Sequence, residues 1–179
     1  MSGYIRAGNI KLVLCFAFYL AWWVVGFNPR RPVRGLASGW LLIPAAVLGV
    51  LAVIDISRGL VFAGGLMPGM VIVVAGIVGY FVLFGITSGV LHRPLTTELL
   101  IIVLWATLAL LEVNTLVALG SVTSGLGWAL VGLCCMGTAA SIVCYQLFYT
   151  LEVGMAFIDG AIPLLLAGAM TGAIAVLAH

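Results

Sequence analysis

Residues 98–120 read ELLIIVLWATLALLEVNTLVALG. A helix rises 1.5 Å per residue, so about 20 apolar residues cross a hydrocarbon core about 30 Å thick. This stretch is long enough, and its only charges are Glu98 at the start and Glu112 inside. It reads as a membrane-spanning helix. The preceding break, His92-Arg93-Pro94-Leu95-Thr96-Thr97, suits a helix start: proline tolerates a first turn, Thr96 or Thr97 can cap, and Glu98 favours the positive end of the helix dipole.

Similar runs lie on both sides. Residues 9–27 form a first span that ends in Trp22, Trp23 and Phe27, rings that favour the headgroup level. Asn28-Pro29-Arg30-Arg31-Pro32 then breaks it. Further spans are expected over 37–54, 70–91, 126–149 and 157–178, with Asp159 read as the cap of the last and Pro163 as a first-turn residue. The expectation is an all-α, polytopic transmembrane bundle of about six helices, one domain over 1–179. The glycine-rich link from Gly59 to Gly69 is the weakest part of that count, and five spans or a re-entrant segment also fit it.

Composition agrees. Of the 179 residues, 65% are hydrophobic and 7% charged, against about 45–50% and about 25% in soluble domains. So few charges cannot coat a soluble domain of this size, which leaves lipid as the main solvent. A net charge of +2, spread thinly, excludes a nucleic-acid footprint. The one basic cluster, Arg30, Arg31 and Arg34, is read as a headgroup and topology determinant. With Arg93 it outnumbers Arg6, Lys11 and Arg58 on the other side, which puts the first loop in the cytoplasm and both termini outside. No signal-peptide cleavage pattern is read at the start, and a bacterial cytoplasmic membrane is the expected location. Cys15, Cys134, Cys135 and Cys144 lack metal or redox spacing and read as small packing residues.

Apolar burial cannot press helices together inside lipid, so small residues and interhelical hydrogen bonds must do so. Gly85 and Gly89, Gly137 and Ser141, Gly168 and Gly172, and Ala75 and Gly79 each lie four apart and are expected at helix contacts, within the chain or between copies.

Two features point toward chemistry. An acid near a helix centre costs roughly 2.5–3.5 kcal/mol, so Glu112 should face the bundle interior or a wet cavity. Thr115 shares its face, Ala109 leaves room for a partner, and Asn114 lies roughly 200° around the axis. The second feature is a stripe at steps of three and four, Thr138, Ser141, Tyr145, Tyr149 and Glu152, flanked by Gln146. Lipid is a poor neighbour for it, so it should face protein or water. Glu112, Thr115 and this stripe are the candidate transport pathway; an interhelical hydrogen-bond seam is the competing reading.

No HExxH, GxSxG or Walker pattern occurs, and the two histidines do not pair for haem. Neither a catalytic residue, a metal site nor a cofactor is expected. The leading functional reading is a channel or transporter for a small solute or ion, in contact with membrane lipids and oligomeric. The alternative is a non-catalytic membrane subunit of a larger complex. A lipid-modifying enzyme ranks last.

Overall fold

The computed structural model describes residues 1–29, 36–90, 92 and 97–179. Arg30, Arg31, Arg34, Arg93, Pro94 and Thr96, which carry the topology and capping expectations, lie outside them. The described residues form α1 (Ser2–Gly26), a single turn α2 (Leu36–Gly39), α3 (Leu42–Gly59), α4 (Gly69–Gly89), α5 (Thr97–Ala118), α6 (Ser124–Phe148) and α7 (Val153–Leu177). All but α2 are long and apolar enough to cross a membrane. Among the described residues the membrane protein is all-helical with six spans, and the five-span alternative falls away. The Gly59–Gly69 link is a connection between two full spans.

Helix ends follow local chemistry. Pro44 lies in the first turn of α3, where its missing N–H removes no helical bond. Thr123 caps α6, its Oγ1 accepting from the Leu126 amide at 3.4 Å. Gly120, at φ +75°, closes α5, with Ser121 N donating to Leu116 O and Gly120 N to Val117 O, both at 3.0 Å. Those two bonds satisfy carbonyls that a helix end otherwise leaves bare.

Two boundaries differ from expectation. α1 begins at Ser2 rather than Asn9, because its first turns pack on the end of α3. A Cβ on Gly8 would stand 2.9 Å from Ala52 O, and one on Gly59 3.1 Å from Met1 O, so only glycine permits this approach. Lys11 and Asp55 pair across the same contact. α7 begins at Val153, so Asp159 is not its cap and Pro163 sits inside the helix. The helix runs through because Asp159 and Gly160 are buried against neighbours, and membrane helices tolerate interior proline.

α5 is the central helix. Half of its span is buried within the protein (50%), against 11% for α1 and α4. It packs against α4, α6 and α7; α1 packs on α7 and carries α3 on its outer side. Because successive spans reverse direction, both termini share one face with the α3–α4 link and the α5–α6 turn. Ser121 Oγ contacts His179 O at 3.4 Å there. Beneath that face Ile5, Val113, Leu116, Ile174 and Ala178 form a dense apolar plug. At the opposite face Trp23 ties α1 to α7, its Nε1 donating to Phe157 O at 3.0 Å while its ring stacks on Phe27.

Candidate functional site

Glu112 is 1% exposed and sits about 9 Å of helix rise from the end of α5. Its Oε2 accepts a hydrogen bond from Asn9 Nδ2 on α1, and the same amide group donates to Ile5 O at 2.9 Å. Asn9 is equally buried. Both amide hydrogens are thus committed, one to its own helix and one to the acid, which fixes the side chain. The inward placement expected of Glu112 is met. Its partner is separated from it by 103 positions in the chain.

Two residues further along, α5 grips the α3–α4 link. Asn114 Oδ1 accepts from the amides of Leu66 (2.8 Å) and Met67 (3.1 Å), and its Nδ2 donates to Gly64 O at 3.2 Å. Thr115 Oγ1 accepts from Val61 N at 3.0 Å and lies 3.3 Å from Val61 O. The link bends through Gly64 and Gly65 at φ +84° and +83°. Gly65 lies so close to Asn114 that a Cβ would overlap it. One asparagine therefore satisfies three backbone groups of the link.

A chamber of about 340 Å³ opens among α1, α5, α6 and α7 in the opposite half of the bundle. Tyr19, Glu98, Trp105, Ser141, Tyr145 and Pro163 are among its walls. Thr97 and Glu98, in the first turn of α5, lie at one end; Trp105, two turns along, lies at the other, with Nε1 3.4 Å from Thr171 Oγ1. Beyond Trp105 lie Asn9–Glu112 and the apolar plug. The chamber is thus closed toward the termini by a tryptophan, then by a buried polar pair, then by packed aliphatic side chains.

The chain matches no protein-family model, and comparison with curated proteins and with solved structures finds no match. Geometry alone speaks.

A second hollow of about 470 Å³ runs between α4 and α6 over α5. Its walls are almost wholly apolar or small, including Ala75, Gly76, Gly79, Val103, Cys135 and Ala139. Asn114 lies at its end toward the termini.

The expected pathway residues divide among these places. Ser141 and Tyr145 line the chamber; Thr138 lines the apolar groove. Glu112 and Thr115 line neither, since Glu112 holds Asn9 and Thr115 holds Val61. Tyr149 is exposed and packs edge-on to Phe148, Gln146 is half-buried, and Glu152 is exposed at the start of α7. The hydroxyls of Thr138 and Ser141 each donate to the carbonyl four residues back, at 2.8 Å. That bond satisfies them within α6, so the stripe had no need of one common wall.

The small-residue positions divide too. Cβ atoms on Gly168 and Gly172 would meet Phe16 and Val13 of α1 at 3.8 and 3.9 Å, an ordinary contact between helices. Gly85, Gly89 and Gly137 have nothing within 4 Å, so among the described residues they make no such contact. Among the described residues no three metal-binding side chains converge, and the four cysteines are free thiols.

Sequence reasoning named Tyr145 but not Phe16, Tyr19 or Trp105, passed over Asn9 and set Asn114 aside. Asn9 had a weak signal, being an amide at the edge of an apolar run. Asn114 had a stronger one, lying only two residues from Glu112 in the same span.

Proposed function

We propose that this protein is a transporter or channel that takes a small solute through the chamber between α1, α5, α6 and α7. The observation that carries the reading is the chamber itself. It lies between four spans, is polar and aromatic at one end, and is sealed from the terminal face by Trp105–Thr171 and Asn9–Glu112. A hollow of this size falls within the range of small-molecule sites. A half-open cavity with a barrier on one side is what alternating exposure of a solute site requires.

In this reading Glu112 belongs to the barrier. Its bond to Asn9 joins the central helix to α1, and breaking it frees α1 and α5 to part. The protein acts in a bacterial cytoplasmic membrane, alone or as a homo-oligomer. The test is solute entry into liposomes holding the purified chain. Parent protein should pass a small solute, and Glu112→Gln should change the rate while leaving assembly intact. If Glu112→Gln matches the parent in a working flux assay, the barrier assignment fails.

A second reading, a non-catalytic subunit of a larger membrane complex, has one observation in its favour. α4 makes its main contact with α5 alone and leaves Gly85 and Gly89 uncovered. Under that reading the chain co-purifies with other proteins in mild detergent and is inert by itself. A homogeneous species without foreign partners in native mass spectrometry counts against it.

A further inference from the structure

We propose that the chamber selects a small organic cation, an alkylated amine, held against aromatic faces with Glu98 as counter-charge. The inference rests on the chamber's being a solute site and supplies its substrate class.

The walls favour one solute class over the others. Phe16 and Tyr19 from α1, Trp105 from α5 and Tyr145 from α6 bring four rings to one hollow. Ring faces carry negative charge density and attract ammonium groups, by about 0.5–1 kcal/mol when exposed and about 2 when water is excluded. Glu98 is the charged wall residue, and no lysine, arginine or histidine is among the described walls. Among the described residues no cation pairs with Glu98. Tyr19 and Glu98 each lie within electrostatic reach of Tyr145.

A second carboxylate lies on the same helix as Pro163, outside the chamber lining. Asp159, one helical turn before Pro163 on α7, is 9% exposed, and its Oδ2 has no hydrogen-bond partner among the described residues. It lies beside Cys144, the neighbour of Tyr145. Pro163 cannot donate to the Asp159 carbonyl, so this turn presents a carboxylate and a carbonyl without its helical donor.

Other solute classes fit less well. An anion meets the Glu98 carboxylate and, among the described walls, no base. A neutral polyol finds partners in Tyr19, Thr97 and Tyr145 but gains nothing from four ring faces beside a carboxylate. A metal ion needs several converging ligands, and no such group occurs among the described residues. A purely apolar solute gains nothing from Glu98.

The test uses three solutes of nearly equal shape: tetramethylammonium, tert-butanol and pivalate. Their binding to the full chain in lipid nanodiscs is read by saturation-transfer NMR, with empty nanodiscs subtracted. Tetramethylammonium should bind at least tenfold more tightly than either of the others. Glu98→Gln should weaken it tenfold or more, Glu98→Asp should restore part of the loss, and Tyr145→Leu should weaken it about tenfold with Glu98 intact. Equal binding of tert-butanol, or an affinity unchanged in both Glu98→Gln and Tyr145→Leu, overturns the cation assignment. Liposome flux separates the two levels of the claim. Uptake of tert-butanol-sized neutral solutes without cation preference sinks the cation and keeps the transporter, whereas no uptake of any probe sinks both.

Discussion

Replacing Asn114 with alanine should release the α3–α4 link while leaving the six spans in place. The side chain makes three hydrogen bonds to that link: two accepted from Leu66 and Met67, and one donated to Gly64. Hydrogen bonds in membrane proteins contribute about 0.6 kcal/mol on average, and in proteins generally about 0.5–1.5 kcal/mol. Losing all three removes about 2–4 kcal/mol of local protection. At 1.4 kcal/mol per decade, that is roughly 30- to 1,000-fold in the opening equilibrium. The residue is 1% exposed and lies where Gly65 comes closest. Amide hydrogen exchange of the peptide covering residues 60–69, in nanodiscs, reads the effect directly. Exchange there should accelerate by that factor, with the middle of α5 unchanged. If the link exchanges within threefold of the parent, Asn114 is not what holds it, and the proposed clamp is wrong.

Other expectations follow the same arithmetic. Asn9→Leu leaves the Glu112 carboxylate buried without its donor and should cost about 2–4 kcal/mol. The double variant Asn9→Leu/Glu112→Leu should recover to within about 1 kcal/mol of the parent, because both polar groups are gone. Reversible unfolding in mixed micelles checks both, and a double variant no better than the single one argues against the pair. Gly160→Ala drives a methyl into the Trp23 ring and within 3.1 Å of Phe148, at a cost of about 1–3 kcal/mol. Gly85→Ala, with open space beside it, should stay within about 0.5 kcal/mol. If thermal unfolding of the two variants in the same detergent gives equal shifts, the assigned packing of α7 on α1 is mistaken.

The six spans were legible because hydrocarbon sets one dominant rule: long apolar runs separated by charges and prolines. Their ends were less so. The first turns of α1 hold Ser2, Arg6 and two glycines, a poor match to an apolar run, and they are helical because Gly8 and Gly59 let α1 and α3 meet. Asp159 and Pro163 resemble a helix start in any soluble protein. Here α7 begins six residues before Asp159, because its early turns pack on Trp23 and Phe148.

The site was legible in part. The cost of an acid in lipid correctly turned Glu112 inward, but its partner is fixed by how α1 crosses the bundle, which no local pattern encodes. Asn114 was set aside because a helical wheel places it far from Glu112. That reasoning assumes one inward face, whereas α5 is surrounded and buries several. The stripe on α6 failed differently. Its hydroxyls bond to their own helix, so one row of residues could border two separate hollows.

The most direct test of the account asks which residues water reaches, and from which side. In a background with all four cysteines replaced by alanine, Tyr145→Cys and Ala109→Cys are made singly and reconstituted into sealed vesicles. A membrane-impermeant thiol reagent is then added outside or inside. Tyr145→Cys should react from one side only, and Ala109→Cys, within the plug, from neither. A Tyr145→Cys variant unreactive from both sides, or an Ala109→Cys variant that labels equally fast, contradicts a chamber closed toward the terminal face.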